Sequence, residues 1–155
     1  MSFDELYERH ATRALRLAVL LVGDRSRAED LVAEAFSRVL PRWRGGEVLD
    51  FGPYLRTAVV NEFRGQLRRA ARPEPPGPVG EDPDLADLVA DRAALAAALA
   101  ELSERQRAAI VLRYFEDLPE REVAALLGCP VGTVKALVHR GLHRLRALLE
   151  EVSHA

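Results

Sequence analysis

The sequence has one cysteine, Cys129, so no disulfide can form within the chain. That suits a reducing compartment and rules out a disulfide-stapled secreted fold. Aromatic residues make up only 6% of the chain. Long apolar runs are also missing. The longest near the N-terminus, LAVLLVG at residues 17–23, is far too short to cross a bilayer. Asp4, Glu5 and Glu8 precede it, the wrong charge for a secretory leader. Strict alternation of apolar and polar residues is absent, and β-branched runs are few, which excludes most sheet architectures. The chemistry-bearing patterns are equally sparse. There is no nucleophile–base motif and no glycine loop able to cradle phosphate, so catalysis is not expected. Nothing calls for a cofactor.

What is present is helical. The chain has 155 residues, 48% apolar and 30% charged, and Ala and Leu are abundant. The segment RPEPPGPVGEDPD, residues 72–84, carries five prolines and two glycines and cannot be helix or central strand. It reads as a linker. The expected architecture is all-α: two small helical domains at residues 1–72 and 85–155, joined by a Pro-rich acidic linker at 73–84. The net charge of −2 conceals an uneven distribution. Residues 1–72 carry +3, residues 73–104 carry −7 and residues 105–155 carry +2. Two basic ends around an acidic middle suit contact with a polyanion.

Capping patterns set the expected helices. Ser2 with Glu5 opens a helix that Gly23 ends. Ser26 with Glu29 opens a second, kinked or ended by Pro41. A loop of about ten residues follows, and Pro53 stands in the first turn of a third helix reaching about Arg72. In the second half, one Ala-rich helix is expected from Asp84 to Glu101. Another opens at Ser103 and runs to about Phe115. A short one follows Pro119 and stops at Gly128, and a last one spans about Val131 to Glu150.

Two faces suit nucleic acid. The short helix, the turn at Gly128 and the final helix have helix-turn-helix arithmetic. Val134, Val138, Leu142 and Leu145 would be buried, leaving Lys135, Ala136, His139, Arg140 and His143 outward, toward a groove lined with phosphates and base edges. In the third helix, Thr57, Asn61, Arg64 and Arg68 recur on one face, opposite Leu55, Ala58, Val59 and Phe63. Trp43, Phe51 and Tyr54 flank the preceding loop and are either base-stacking platforms or core. Zinc at Cys129, His139 and His143 lacks a fourth ligand, and Cys129 lies about 15 Å along the helix axis from His139, so no metal is expected there.

The two halves together resemble a known family. RAEDLVAEAFSRVL followed by YLRTAVVNEFRGQLRR resembles region 2 of the extracytoplasmic-function sigma factors of bacterial RNA polymerase. LPEREVAALLGCPVGTVKALVHRGLHRLR resembles their region 4. The resemblance implies promoter-specific initiation. Lys135, His139 and Arg140 would read the −35 element. Thr57, Asn61, Arg64 and Arg68 would engage the −10 element and the separated strand. Asp30, Leu31 and Glu34 would bind the β′ clamp helices of core polymerase, and region 4 the β flap. It further implies an anti-sigma factor. The lone cysteine and the lack of a leader or spanning run make a cytoplasmic, nucleoid-associated protein without membrane insertion the expectation, and the short stretch after the region 4 match leaves no appended regulatory domain expected. Leu137 and Leu142 stand where the family commonly has Arg, so phosphate contacts there are expected to be missing. Two other readings remain open at this stage. One is a helix-turn-helix regulator that acts without polymerase, and the other is a helical interaction module that binds neither promoter nor core enzyme.

Overall fold

The computed structural model describes residues 2–46, 50–67, 81–88 and 91–153. The chain divides into two compact units, Met1–Leu67 and Arg68–Ala155. No strand occurs among the described residues.

Unit 1 is a three-helix bundle of α1 (Phe3–Val22), α2 (Arg25–Arg44) and α3 (Phe51–Gln66). Ser2 and Glu5 form the reciprocal capping box, satisfying two orphan N–H groups, and Gly23 closes α1 in the left-handed region at φ 73°. The cap of α2 differs from expectation. Asp24, two residues before Ser26, is the N-cap, and its carboxylate accepts from the N–H groups of both Ser26 and Arg27. Pro41 does not end α2, which continues through Arg44. It removes one i→i−4 bond, and only Arg42, Trp43 and Arg44 follow it in the helix, so little is left for it to disrupt. The core draws Leu17, Ala18 and Leu21 from α1, Ala28, Leu31, Val32, Ala35 and Val39 from α2, and Leu55, Val59, Val60 and Phe63 from α3. Phe51 joins this core, with its ring 5.8 Å from that of Phe36 and 5.1 Å from that of His10. It is packing, not a stacking platform. Burial pushes the His10 imidazole below its ordinary value, Arg9 and Arg13 push the same way, and Asp50 opposes them.

Unit 2 contains α4 (Leu85–Leu88), α5 (Arg92–Ala100), α6 (Glu104–Ile110), α7 (Glu120–Leu127) and α8 (Val131–Ser153). The single Ala-rich helix expected over 84–101 is interrupted, because Asp91 takes an extended backbone and caps α5 through the Ala93 N–H. Ser103 caps α6 through the Gln106 N–H. That helix widens into a π-helical turn at Val111–Phe115, and Asp117, at φ 53°, then reverses the chain so that Leu118 is buried. Arg107, only 5% exposed, donates through Nη1 to the carbonyls of Leu99 and Ala100 at the C-terminal end of α5, at 3.5 and 3.4 Å. There it adds a donor to carbonyls at the end of the helix, of which that of Leu99 also accepts from the Leu102 N–H, and meets the negative end of the helix dipole.

Candidate nucleic-acid interface

α7 and α8 meet at 102° across the three residues 128–130. Gly128 makes this possible by taking φ 66°, and the Cys129 N–H closes the turn on the Ala124 carbonyl at 3.1 Å. Pro130 then starts α8, its carbonyl accepting from Thr133 and Val134. A crossing near a right angle through a three-residue glycine turn is the geometry of a DNA-binding helix-turn-helix.

The inner side of α8 carries Val134, Val138, Leu142 and Leu145, all buried as the spacing predicts. Ala136 and Leu137 are buried as well. Ala136 was expected outward, but α8 is packed on more than one side, which leaves a narrower outward stripe. Lys135 is exposed and lies 3.9 Å from Glu120 of α7. Arg140 is half-buried. His139 is half-buried and its Nδ1–H donates to Asp82 Oδ1 at 2.8 Å, a contact between positions 57 residues apart. His143 is exposed, with its ring 4.4 Å from that of His139. Tyr114, beside this face, has its hydroxyl pushed above the ordinary phenol range by burial first and then by Asp82, with Glu120 and Asp84 adding and Arg113 opposing.

In unit 1, Asn61 and Arg64 are exposed on α3. Thr57 is half-buried, and its hydroxyl donates to the Pro53 carbonyl at 3.0 Å, which occupies its proton within the helix. Arg68 lies outside the described residues. A polar groove between α2 and α3 brings Thr57 and Asn61 together with Arg38, Arg42 and Tyr54. Arg42 Nη1 donates to the Tyr54 hydroxyl at 3.0 Å, and Arg38 pairs with Glu62. Arg38 and Arg42 were not singled out from the sequence. The signal was their i, i+4 spacing on α2, which puts both on one edge of that helix.

The proposed polymerase-binding set is divided by the fold. Asp30 and Glu34 are exposed on α2. Leu31 is fully buried in the unit 1 core and cannot touch a partner. The division comes from packing: α2 turns Leu31 into the core beside Val32 and Ala35, while Asp30 and Glu34 stay on its solvent side.

Two helical units with basic faces, one built around a helix-turn-helix, are the arrangement of a DNA-binding protein. Family comparisons match sigma-70 region 2 over residues 6–73 and sigma-70 region 4 over residues 92–145. The chain belongs to the sigma-70 family of RNA polymerase sigma factors, in its extracytoplasmic-function group. Members of this family are initiation factors, not enzymes, and bind core RNA polymerase and promoter DNA. The chain is 38% identical to the ECF RNA polymerase sigma factor SigE of Mycolicibacterium smegmatis over 98% of its own length, and spans 63% of that protein. It is 35% identical to the RNA polymerase sigma-E factor of Streptomyces antibioticus, spanning 97% of this chain and 86% of that protein. Among solved structures it resembles the sigma factor RpoE of Bartonella quintana, crystallised with the anti-sigma factor NepR. The TM-score is 0.69 at 27% identity, with 96% of each chain covered. No single helix among the described residues is long and apolar enough to cross a membrane.

Proposed function

We propose that this sigma factor directs core RNA polymerase to its promoters through two separate faces. The outward stripe of α8, with Lys135, His139 and Arg140, reads the −35 element. The α2–α3 groove with Thr57 and Asn61, together with Arg64 and Arg68, engages the −10 element. The exposed Asp30 and Glu34 on α2 meet the β′ clamp helices, and unit 2 meets the β flap. Work on chromosomal promoters makes the protein cytoplasmic and nucleoid-associated, and an anti-sigma factor holds it inactive. The observation that carries this reading is the 102° crossing of α7 and α8 at Gly128, which leaves a basic stripe on the exposed side of α8. The acidic pair on α2 is what favours a polymerase-dependent factor over a free-standing regulator.

Run-off transcription with purified core polymerase and mapped start sites tests it. The expected result is initiation at discrete promoters only when the chain is added. Within that assay, Asn61→Ala should lower permanganate reactivity of unpaired thymines more than it lowers promoter binding. Unchanged strand separation would make Asn61 an ordinary surface residue.

A further inference from the structure

We propose that Asp82, His139 and His143 form a binding site for a divalent first-row transition ion, zinc being the natural occupant, which ties the acidic segment before α4 to the outward face of α8. One ligand atom from each of the three residues lies within 4.8 Å of the other two. Zinc with bonds of 2.0–2.1 Å to nitrogen and oxygen holds tetrahedral ligands about 3.3 Å apart. Small side-chain rotations therefore close the site around an ion without moving the backbone.

The parts are already in position. His139 and His143 are one helical turn apart on α8, so the helix itself fixes one edge of the site. The hydrogen bond from His139 to Asp82 holds the third ligand in place across 57 residues of chain. Buried Leu85, three residues after Asp82, anchors that segment in unit 2. Cys129, the third ligand that spacing along the chain offered, sits within the turn before α8 and is not part of this cluster, and Asp82 takes its place.

The donor set selects the ion. Two imidazole nitrogens and one carboxylate oxygen suit zinc and its neighbours, whereas calcium and magnesium favour oxygen throughout. The absence of a thiolate from the set disfavours copper(I). Three protein ligands leave a fourth position for water, and His143 is exposed, so the ion can enter and leave.

The consequence for DNA binding rests on the reading of α8 as the recognition helix. A bound ion would engage His139 and clamp a segment reading Glu-Asp-Pro-Asp against the stripe that meets phosphate. Duplex binding would then weaken as the metal is taken up.

The test titrates zinc into the full-length, metal-stripped protein by calorimetry, with cobalt(II) absorbance as a report of tetrahedral geometry. We expect one ion per chain, and a loss of about tenfold or more in affinity for each of His143→Ala and Asp82→Asn, as is usual when metal-site partners are removed. The cobalt visible bands should be strong in the wild type and absent in His143→Ala. No uptake, or equal affinity in all three proteins, overturns the site. In the same samples, zinc should weaken wild-type binding to a mixed-sequence duplex at low salt and leave that of His143→Ala unchanged. Both His143 and Asp82 are exposed, so the variants should fold, which circular dichroism checks. A protein that takes up zinc as expected yet binds no duplex without it counts against the role given to α8 and leaves the metal site standing.

Discussion

Gly141 of α8 lies directly over Ile110 of α6. A Cβ at position 141 would come within 2.5 Å of the Ile110 Cδ1 methyl and 3.5 Å of Gln106 Cβ. The helix that carries the basic stripe sits this close to the core only because that residue has no side chain. Gly141→Ala removes a helix-weakening glycine but forces the contact apart, and overpacking costs about 1–3 kcal/mol. The expected net result is a lower urea midpoint for unit 2, with Gly141→Val worse than Ala. A midpoint at or above wild type would mean that Ile110 moves aside freely.

Charge reversal on α2 separates binding from folding. Asp30→Arg with Glu34→Arg changes two exposed positions, where substitutions usually stay within about 0.5 kcal/mol. Co-purification with core polymerase should be lost while the thermal midpoint barely moves. Leu31→Ala should do the opposite and destabilise unit 1 by about 2–5 kcal/mol. If the folded double variant still co-purifies, the clamp-binding surface lies elsewhere.

On α8 the two basic side chains should behave differently. Arg140 has the planar fork that matches the two acceptors of guanine, so Arg140→Ala should cost about 1–3 kcal/mol on the preferred −35 sequence and relax preference at one position. Lys135→Ala should weaken all sequences alike and lower the salt slope by about one unit. A library of single-base promoter variants, measured at several salt concentrations, checks both. Equal effects of Arg140→Ala on every sequence would demote it to a phosphate contact.

His10 should make unit 1 sensitive to acid. Its folded pKa lies below the ordinary 6.5, so the unfolded chain takes up the proton first. The stabilisation is complete above pH 6.5 and is lost as pH falls through the folded value. His10→Gln should flatten that part of the stability profile in urea unfolding. An unchanged acid limb would assign the loss to other groups.

What could be read in advance follows from how local each cause is. Ser2, Gly23, Ser103 and Gly128 cap or end helices through contacts within about one turn, so their residue types alone announced them. At the start of α2 two capping residues stand two apart, and Asp24 prevails by accepting from two N–H groups at once. The family resemblance pointed to a stretch of chain on α2, not to one face, and that is why Leu31 was grouped with Asp30 and Glu34 although it is buried. Ala136 and Leu137 were misjudged or left open because a helix packed on two sides has no single apolar stripe. The pairing of Asp82 with His139 is beyond any local pattern, since it depends on how a segment 57 residues away returns to α8.

Arg107 gives unit 2 two different responses to salt. Its guanidinium is shielded from solvent and holds the C-terminal carbonyls of α5, so dissolved ions scarcely reach it. The exposed Lys135, by contrast, meets mobile counterions directly. A rise in ionic strength should therefore release the protein from DNA well before it loosens the fold. The factor leaves its promoter intact and is ready to bind again when the ions are diluted.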